Sequence, residues 1–132
     1  MLANALIKYK FIWISLLVIT IVMVFISFMP QPIDMNLEKI GNGRKAIVFV
    51  YDSNLSVSSQ QSAEINKARS LVSEDIIFLI AKIGDPAGDN FMRHYNARAA
   101  DLLFFNIEGD LVKRETALLS AEELAGILLS EM

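Results

Sequence analysis

Tyr95 to Leu128 reads YNARAADLLFFNIEGDLVKRETALLSAEELAGIL. Leu102–Phe105 is a continuous apolar run, the pattern of a strand covered on both faces rather than one. Asn106–Asp110, with Gly109 inside it, reads as a turn. Leu111–Thr116 is mixed and charged, which suits an edge strand whose Lys113, Arg114 and Glu115 discourage strand addition. Ser120 and Glu123 then have the spacing of a capping box, predicting a last helix that runs to Met132.

Upstream, Ala46–Tyr51 (AIVFVY) and Ile76–Ala81 (IIFLIA) are again continuous apolar runs, and with Leu102–Phe105 they are predicted to be the central strands. Between the first two lies a polar stretch ending in AEINKARSLV. It puts Ile65, Ala68, Leu71 and Val72 on one helical face, with Ser53 or Asn54 to cap its start. Asp85 and Pro86 form a cap and first-turn pair for a helix reaching about Tyr95. The surrounding GDPAGDN, Gly84–Asn90, lacks calcium-loop spacing and reads as a helix-entry turn. The order is β-α-β-α-β-β-α, an α/β domain over 46–132. Its core draws on the three strands and on Phe91, Leu118, Leu119, Leu124, Ile127 and Leu128.

A chain of 132 residues fits one such domain with an appendage. The 54% hydrophobic content is high for a soluble protein, and one segment carries the excess. Residues 11–29, FIWISLLVITIVMVFISFM, hold no charge, and at 1.5 Å per residue they cross a hydrocarbon layer of about 30 Å. A cleavable signal would be shorter and would end in small residues, where this chain has Phe28 and Met29. The segment therefore reads as an uncleaved anchor that meets lipid through Phe11, Trp13, Leu17, Ile21, Phe25 and Met29. Lys8 and Lys10 precede it, with Tyr9 and Trp13 suited to the headgroup level. This places residues 1–10 as a cytoplasmic tail in the inner (plasma) membrane and the domain in the periplasm or an equivalent outer compartment. Lys39, Arg44 and Lys45 on the other side weaken that bias. Residues 30–45, beginning PQPI from Pro30, read as a short tether loosened by Gly41 and Gly43. Ser15, Thr20 and Ser27 lack a small-xxx-small pattern, so anchoring is favoured over helix pairing. From Pro30 onward ten basic residues face fifteen acidic ones, a net of −5 that argues against nucleic acid.

The order of elements and the stretch Tyr95–Leu128 resemble the thioredoxin family. The likeness covers 85–90 residues from about Lys45, and RKAIVFVYDSN is similar to the family's strand leading into its Cys-x-x-Cys motif. The resemblance implies a thioredoxin-like central sheet. Laid on the family pattern, the Cys-x-x-Cys position falls on Leu55, Ser56, Val57 and Ser58, and the chain contains no cysteine. A serine hydroxyl neither ionises near neutral pH nor forms a reversible bond to sulfur, so the family's thiol–disulfide exchange is closed to these residues. Where the family has its cis-proline, Asp101 follows Ala100, and a trans peptide is expected there. Where many members bury a proton-accepting acid, the candidates are Val48, Phe49 and Val50.

Replacement chemistry finds little support. A nucleophilic serine needs a base in reach, and the single histidine, His94, reads as a surface residue on the second helix. Asp52 and Asp101, at the same former active-site edge, read as caps for backbone amides rather than a cation site. No Cys/His cluster suits zinc, and no glycine loop suits phosphate. No catalytic residue, metal, cofactor or small-molecule substrate is expected, and Ser56→Ala and Ser58→Ala are expected to be silent. Two functions follow. The first is a non-catalytic interaction module, an accessory or assembly subunit partnered by the lipid bilayer and other membrane protein subunits. The alternative is a membrane-tethered holdase whose peptide groove is formed by Asn54, Leu55, Val57, Ala99, Ala100 and Asp101. An enzyme borrowing its cysteines from a partner is a third, minor reading.

Overall fold

The computed structural model describes residues 1–29 and 31–131 and divides into two compact units, Met1–Gln31 and the chain from Pro32 onward. The expected end of the last helix at Met132 and the start of the tether at Pro30 lie outside the described residues.

The first unit is one helix, α1 (Leu2–Ser27), long and apolar enough to cross a membrane, with a mean hydropathy of 2.4 over an 18-residue stretch. It begins earlier than the expected span and stops short of it. Lys8 and Lys10 are helical, and Met29 lies two residues past the helix end. Ser15, Thr20 and Ser27 each donate their hydroxyl to the carbonyl four residues back, at 2.8–2.9 Å. Such internal pairing satisfies polar groups in hydrocarbon without a partner helix.

The second unit is a four-stranded sheet built from β1 (Lys45–Tyr51), β2 (Ile76–Lys82), β3 (Asp101–Phe105) and β4 (Leu111–Thr116), with α2 (Ser56–Ala68), α3 (Pro86–Tyr95) and α4 (Ala121–Ser130). The strand order is β2-β1-β3-β4, with β1 parallel to β2 and antiparallel to β3, and β4 antiparallel to β3. Alternate residues of β1 feed two cores. Ile47 and Phe49 pack with Ile65 of α2 and Leu124 and Leu128 of α4. Val48 and Val50 pack with Phe91 of α3, Leu103 and Phe105. Phe91 and Tyr95 both meet the Phe105 ring, at 6.0 and 5.1 Å between centroids. Burial on both faces explains why β1 and β3 carry no polar alternation.

Several local expectations change. β2 is an edge strand, not a central one, and Ile76, Ile77 and Ile80 are half-buried. Its apolar run is accounted for by the segment read as a tether, which is packed on the domain. Asp34 bridges Leu79, the Asp34 carbonyl accepts from the Ile80 amide at 2.9 Å, and Ile33, Leu37 and Ile40 join the two cores. A 3-10 turn, η1 (Leu37–Lys39), is capped by Asn36. Gly41 and Gly43 do not loosen this segment. Gly41 (φ +82) lies against Gly109 (φ +91) of the β3–β4 turn, where a Cβ on Gly109 would stand 2.9 Å from the Gly41 Cα. The Gly43 amide donates to the Ile107 carbonyl at 3.1 Å.

On the expected helix faces, Leu71 lies beyond the end of α2 and is exposed, as is Leu118. The inward face of α2 is instead Ser58, Gln61, Ile65 and Ala68. Ser120 and Glu123 form the expected capping box, whereas Asp85, with Pro86 after it, occupies the N-cap of α3 without a side-chain bond. There the Asp89 carboxylate takes the Gly84 amide instead, at 3.0 Å.

Two carboxyls outside α1 are held below the ordinary carboxylate range. Asp34 is lowered first by the Lys39 ammonium it binds and then by the Asn36 amide, and Glu64 first by Lys67 and then by the Ala121 amide. A depressed folded-state pKa gives stability that is present above the unfolded value and lost as pH falls through the folded one. Thermal melts should therefore be flat near neutral pH and fall below about pH 4, the carboxylate range. Asp34→Asn combined with Glu64→Gln should flatten that acid limb. Both carboxylates are half-buried but pair with exposed lysines screened by water, so the change is small.

Candidate functional site

The positions singled out from the sequence gather where β1 runs into α2 and where β3 begins. The antiparallel pairing of β1 with β3 sets Tyr51 and Asp101 at the same end of the sheet. Neither Ser53 nor Asn54 caps α2. Leu55 occupies the N-cap, with no side-chain bond, and is 39% exposed. Ser58, one turn in, is fully buried, and its hydroxyl accepts the Asp52 amide at 3.1 Å. This is a reversed form of the capping box, with a third-position side chain reaching back to an amide ahead of the helix. Asp52 itself folds the turn, its carboxylate taking the Asn54 amide at 2.9 Å and its carbonyl the Leu55 amide at 3.1 Å.

Ser58 thus has structural work that the sequence reading did not give it. Ser58→Ala strands the Asp52 amide and should cost about 1–3 kcal/mol, read as a lower denaturant midpoint at unchanged m. Ser56 is exposed and its hydroxyl has no hydrogen bond among the described residues, so Ser56→Ala should stay within about 0.5 kcal/mol of the parent.

The opposite wall is more closed than a groove requires. Ala100 (φ +70) and Asp101 are 8% and 7% exposed, and Ala99 is half-buried. The Ala100 amide donates to Val50 and its carbonyl accepts from Ala117, tying β1, β3 and the chain after β4 together. The Asp101 carboxylate accepts the Arg98 amide at 2.8 Å and the Thr116 hydroxyl at 3.4 Å, and Arg114 stands 3.8 Å away. Asp101 is therefore committed inward rather than lining a binding surface, and Val57 packs against the core. Of the six expected groove residues, Asn54 and Leu55 are the exposed pair.

Sequence reasoning missed the segment that runs along α2. The Gln61 carboxamide is fully buried and pairs twice with Leu119, donating to its carbonyl at 3.0 Å and accepting from its amide at 2.8 Å. Glu64 accepts the Ala121 amide at 2.9 Å. With 119 beside 61 and 121 beside 64, the segment ascends parallel to α2, which sets Leu118, 50% exposed, toward the Leu55 end. The signal was available: Ser58 and Gln61 lie seven and four residues before Ile65, on the same helical face.

Chemically the end of the sheet offers little. His94 is exposed and stacks edge-on against Tyr95, at 4.6 Å between centroids. Among the described residues no three His, Asp or Glu side chains gather as metal ligands. Val48, Phe49 and Val50 are fully buried and none can take a proton.

This architecture has many counterparts among solved structures. A thioredoxin-like protein from Clostridium perfringens superposes with a TM-score of 0.66 at 16% identity, covering 74% of this chain and 79% of that one. The fold is thioredoxin's. Thioredoxin-2, a component of the malaria parasite's protein secretion machinery, gives 0.60 at 11% identity, covering 67% and 84%. Thioredoxin O2 from Arabidopsis thaliana gives 0.59 at 12% identity, covering 72% and 85%. No protein-family model matches the sequence, and no curated protein does. The likeness is thus one of fold, on a thioredoxin-like domain that carries no cysteine and follows an apolar helix.

Proposed function

We propose that this chain is a non-catalytic, membrane-anchored thioredoxin-like module, an accessory or assembly subunit that binds other membrane protein subunits. Its amino terminus is cytoplasmic and its domain faces the periplasm or an equivalent outer compartment. The observation that carries the reading is the state of the residues on which the resemblance lays the Cys-x-x-Cys motif: Leu55 is exposed, and the Ser58 hydroxyl is spent on the Asp52 amide. The fold's shape is retained while the group that does its sulfur chemistry is absent, which favours recognition over thiol chemistry as the role. Lys8 and Lys10, in α1 just ahead of its uncharged run from Phe11, support the orientation. A structural neighbour is described as a component of a protein secretion machinery, so membership of a larger assembly has a precedent in the fold.

Affinity capture of the intact anchored protein in mild detergent, with mass-spectrometric identification, tests this. A fixed set of membrane subunits in constant ratio is the expected result. The exposed Leu55 and Leu118 favour one second reading, a holdase for exported chains. It would be chosen if capture returned a heterogeneous set of unfolded clients that Leu55→Asp with Leu118→Asp released.

A further inference from the structure

The turn that opens α2 contains Asn54-Leu55-Ser56, the Asn-x-Ser/Thr triplet without a middle proline that serves as an acceptor for N-linked sugar on exported chains. Such triplets arise by chance, so the weight falls on what the fold does with these side chains. In the domain, Asn36, Asn42, Asn66, Asn90 and Asn106 each commit the carboxamide to a local hydrogen bond. Asn96 supplies the left-handed C-cap of α3. Asn54 does neither: it is exposed, and its carboxamide has no partner among the described residues.

Ser56 is equally unused. Asparagine and serine are the residues best suited to cap a helix, yet here they flank the N-cap on both sides and leave it to Leu55. Two cap-forming side chains displaced by one residue each way have no local structural purpose. As the first and third members of an acceptor triplet they have one. The Asp52 carboxylate and carbonyl hold the backbone of the turn through the Asn54 and Leu55 amides, leaving the Asn54 side chain at an exposed tip.

We infer that Asn54 accepts an oligosaccharide from a polyprenyl-diphosphate-linked donor. In the transfer, Asn54 Nδ2 bonds to the anomeric carbon of the first sugar and the bond from that carbon to the diphosphate oxygen breaks. The polyprenyl diphosphate departs with the electron pair, and the amide gives one proton to a base of the transferase. No atom is oxidised or reduced. The inference rests on the outward placement of the domain in the function proposed above. It also deepens that reading, because a hydrated glycan beside Leu55 covers the face that a holdase would need for extended clients.

The test is intact-mass and tryptic-peptide analysis of the anchored protein purified from the cells that naturally make it. Trypsin cleaves after Lys45 and Lys67, so Asn54 lies on one peptide, Ala46–Lys67. Most molecules should show a mass excess of one oligosaccharide on that peptide. Asn54→Gln and Ser56→Ala should abolish it and Ser56→Thr should keep it. Sidedness is read separately, by protease digestion of the domain in closed vesicles of known orientation. An unmodified peptide from an outward-facing domain overturns the Asn54 assignment and leaves the topology standing. A domain protected on the cytoplasmic side overturns the topology and the assignment together. A mass excess that survives Asn54→Gln overturns the assignment alone.

Discussion

Gly88→Ala is expected to cost about 3 kcal/mol or more and to lower the melting temperature by about 12 °C or more for a domain of this size. A Cβ at position 88 would stand 2.1 Å from the Lys82 carbonyl oxygen and 2.8 Å from the Lys82 nitrogen and carbonyl carbon. These are backbone atoms of β2, which cannot turn aside as a side chain would, so α3 must lift off the sheet by more than an ångström. Lifting α3 loosens Phe91 from Phe105 and opens one of the two cores. Alanine's better helix propensity returns only about 1 kcal/mol. The packing loss wins, so a thermal melt of Gly88→Ala that matched the parent would mean that α3 does not cross β2 this closely.

Gln61→Met is the second large effect. Methionine keeps the approximate volume and apolar stem but removes both polar atoms that pair with Leu119. The Leu119 amide and carbonyl then lose their partner beside the core. At about 1–3 kcal/mol for each group left unsatisfied, a loss of about 3 kcal/mol is expected. Amide hydrogen exchange gives the specific reading: Leu119 should lose protection in Gln61→Met while the strands keep theirs. Unchanged protection at Leu119 would show that the loop is held by its apolar contacts alone.

The parts of the fold that were legible were those in which a single physical cause acts locally. The runs Ala46–Tyr51 and Leu102–Phe105 read as two-faced strands because burial on both sides removes polar alternation. Ser120 with Glu123 marked the start of α4 because the capping box is a local exchange of two bonds. What escaped depended on contacts distant in sequence. Ile76–Ala81 looks the same whether its neighbour is a sheet strand or the segment around Asp34, so periodicity could not identify β2 as an edge. Gly41 seemed a loosening residue because its contact, Gly109, lies in the β3–β4 turn. Gln61 reads as part of a polar stretch and Ser58 as a former Cys-x-x-Cys position without a role, although their spacing from Ile65 puts them on the inward face. Leu118 was assigned to the core from its apolar character, but the Gln61–Leu119 pair fixes the segment with that side chain outward.

At the candidate site, the loss of sulfur chemistry was plain from composition, since no arrangement supplies a thiolate to a chain without cysteine. The inward commitment of Asp101 was not, because it depends on Arg98, Arg114 and Thr116 meeting it at the end of β3.

A molecule that works by being bound travels with its partners, and the native mass of the anchored protein, extracted in mild detergent and resolved by size with multi-angle light scattering, tests this most directly. The expected result is elution within a larger membrane assembly, at one constant ratio to the same partners. A protein that eluted alone, and that by itself turned over a substrate, would contradict it.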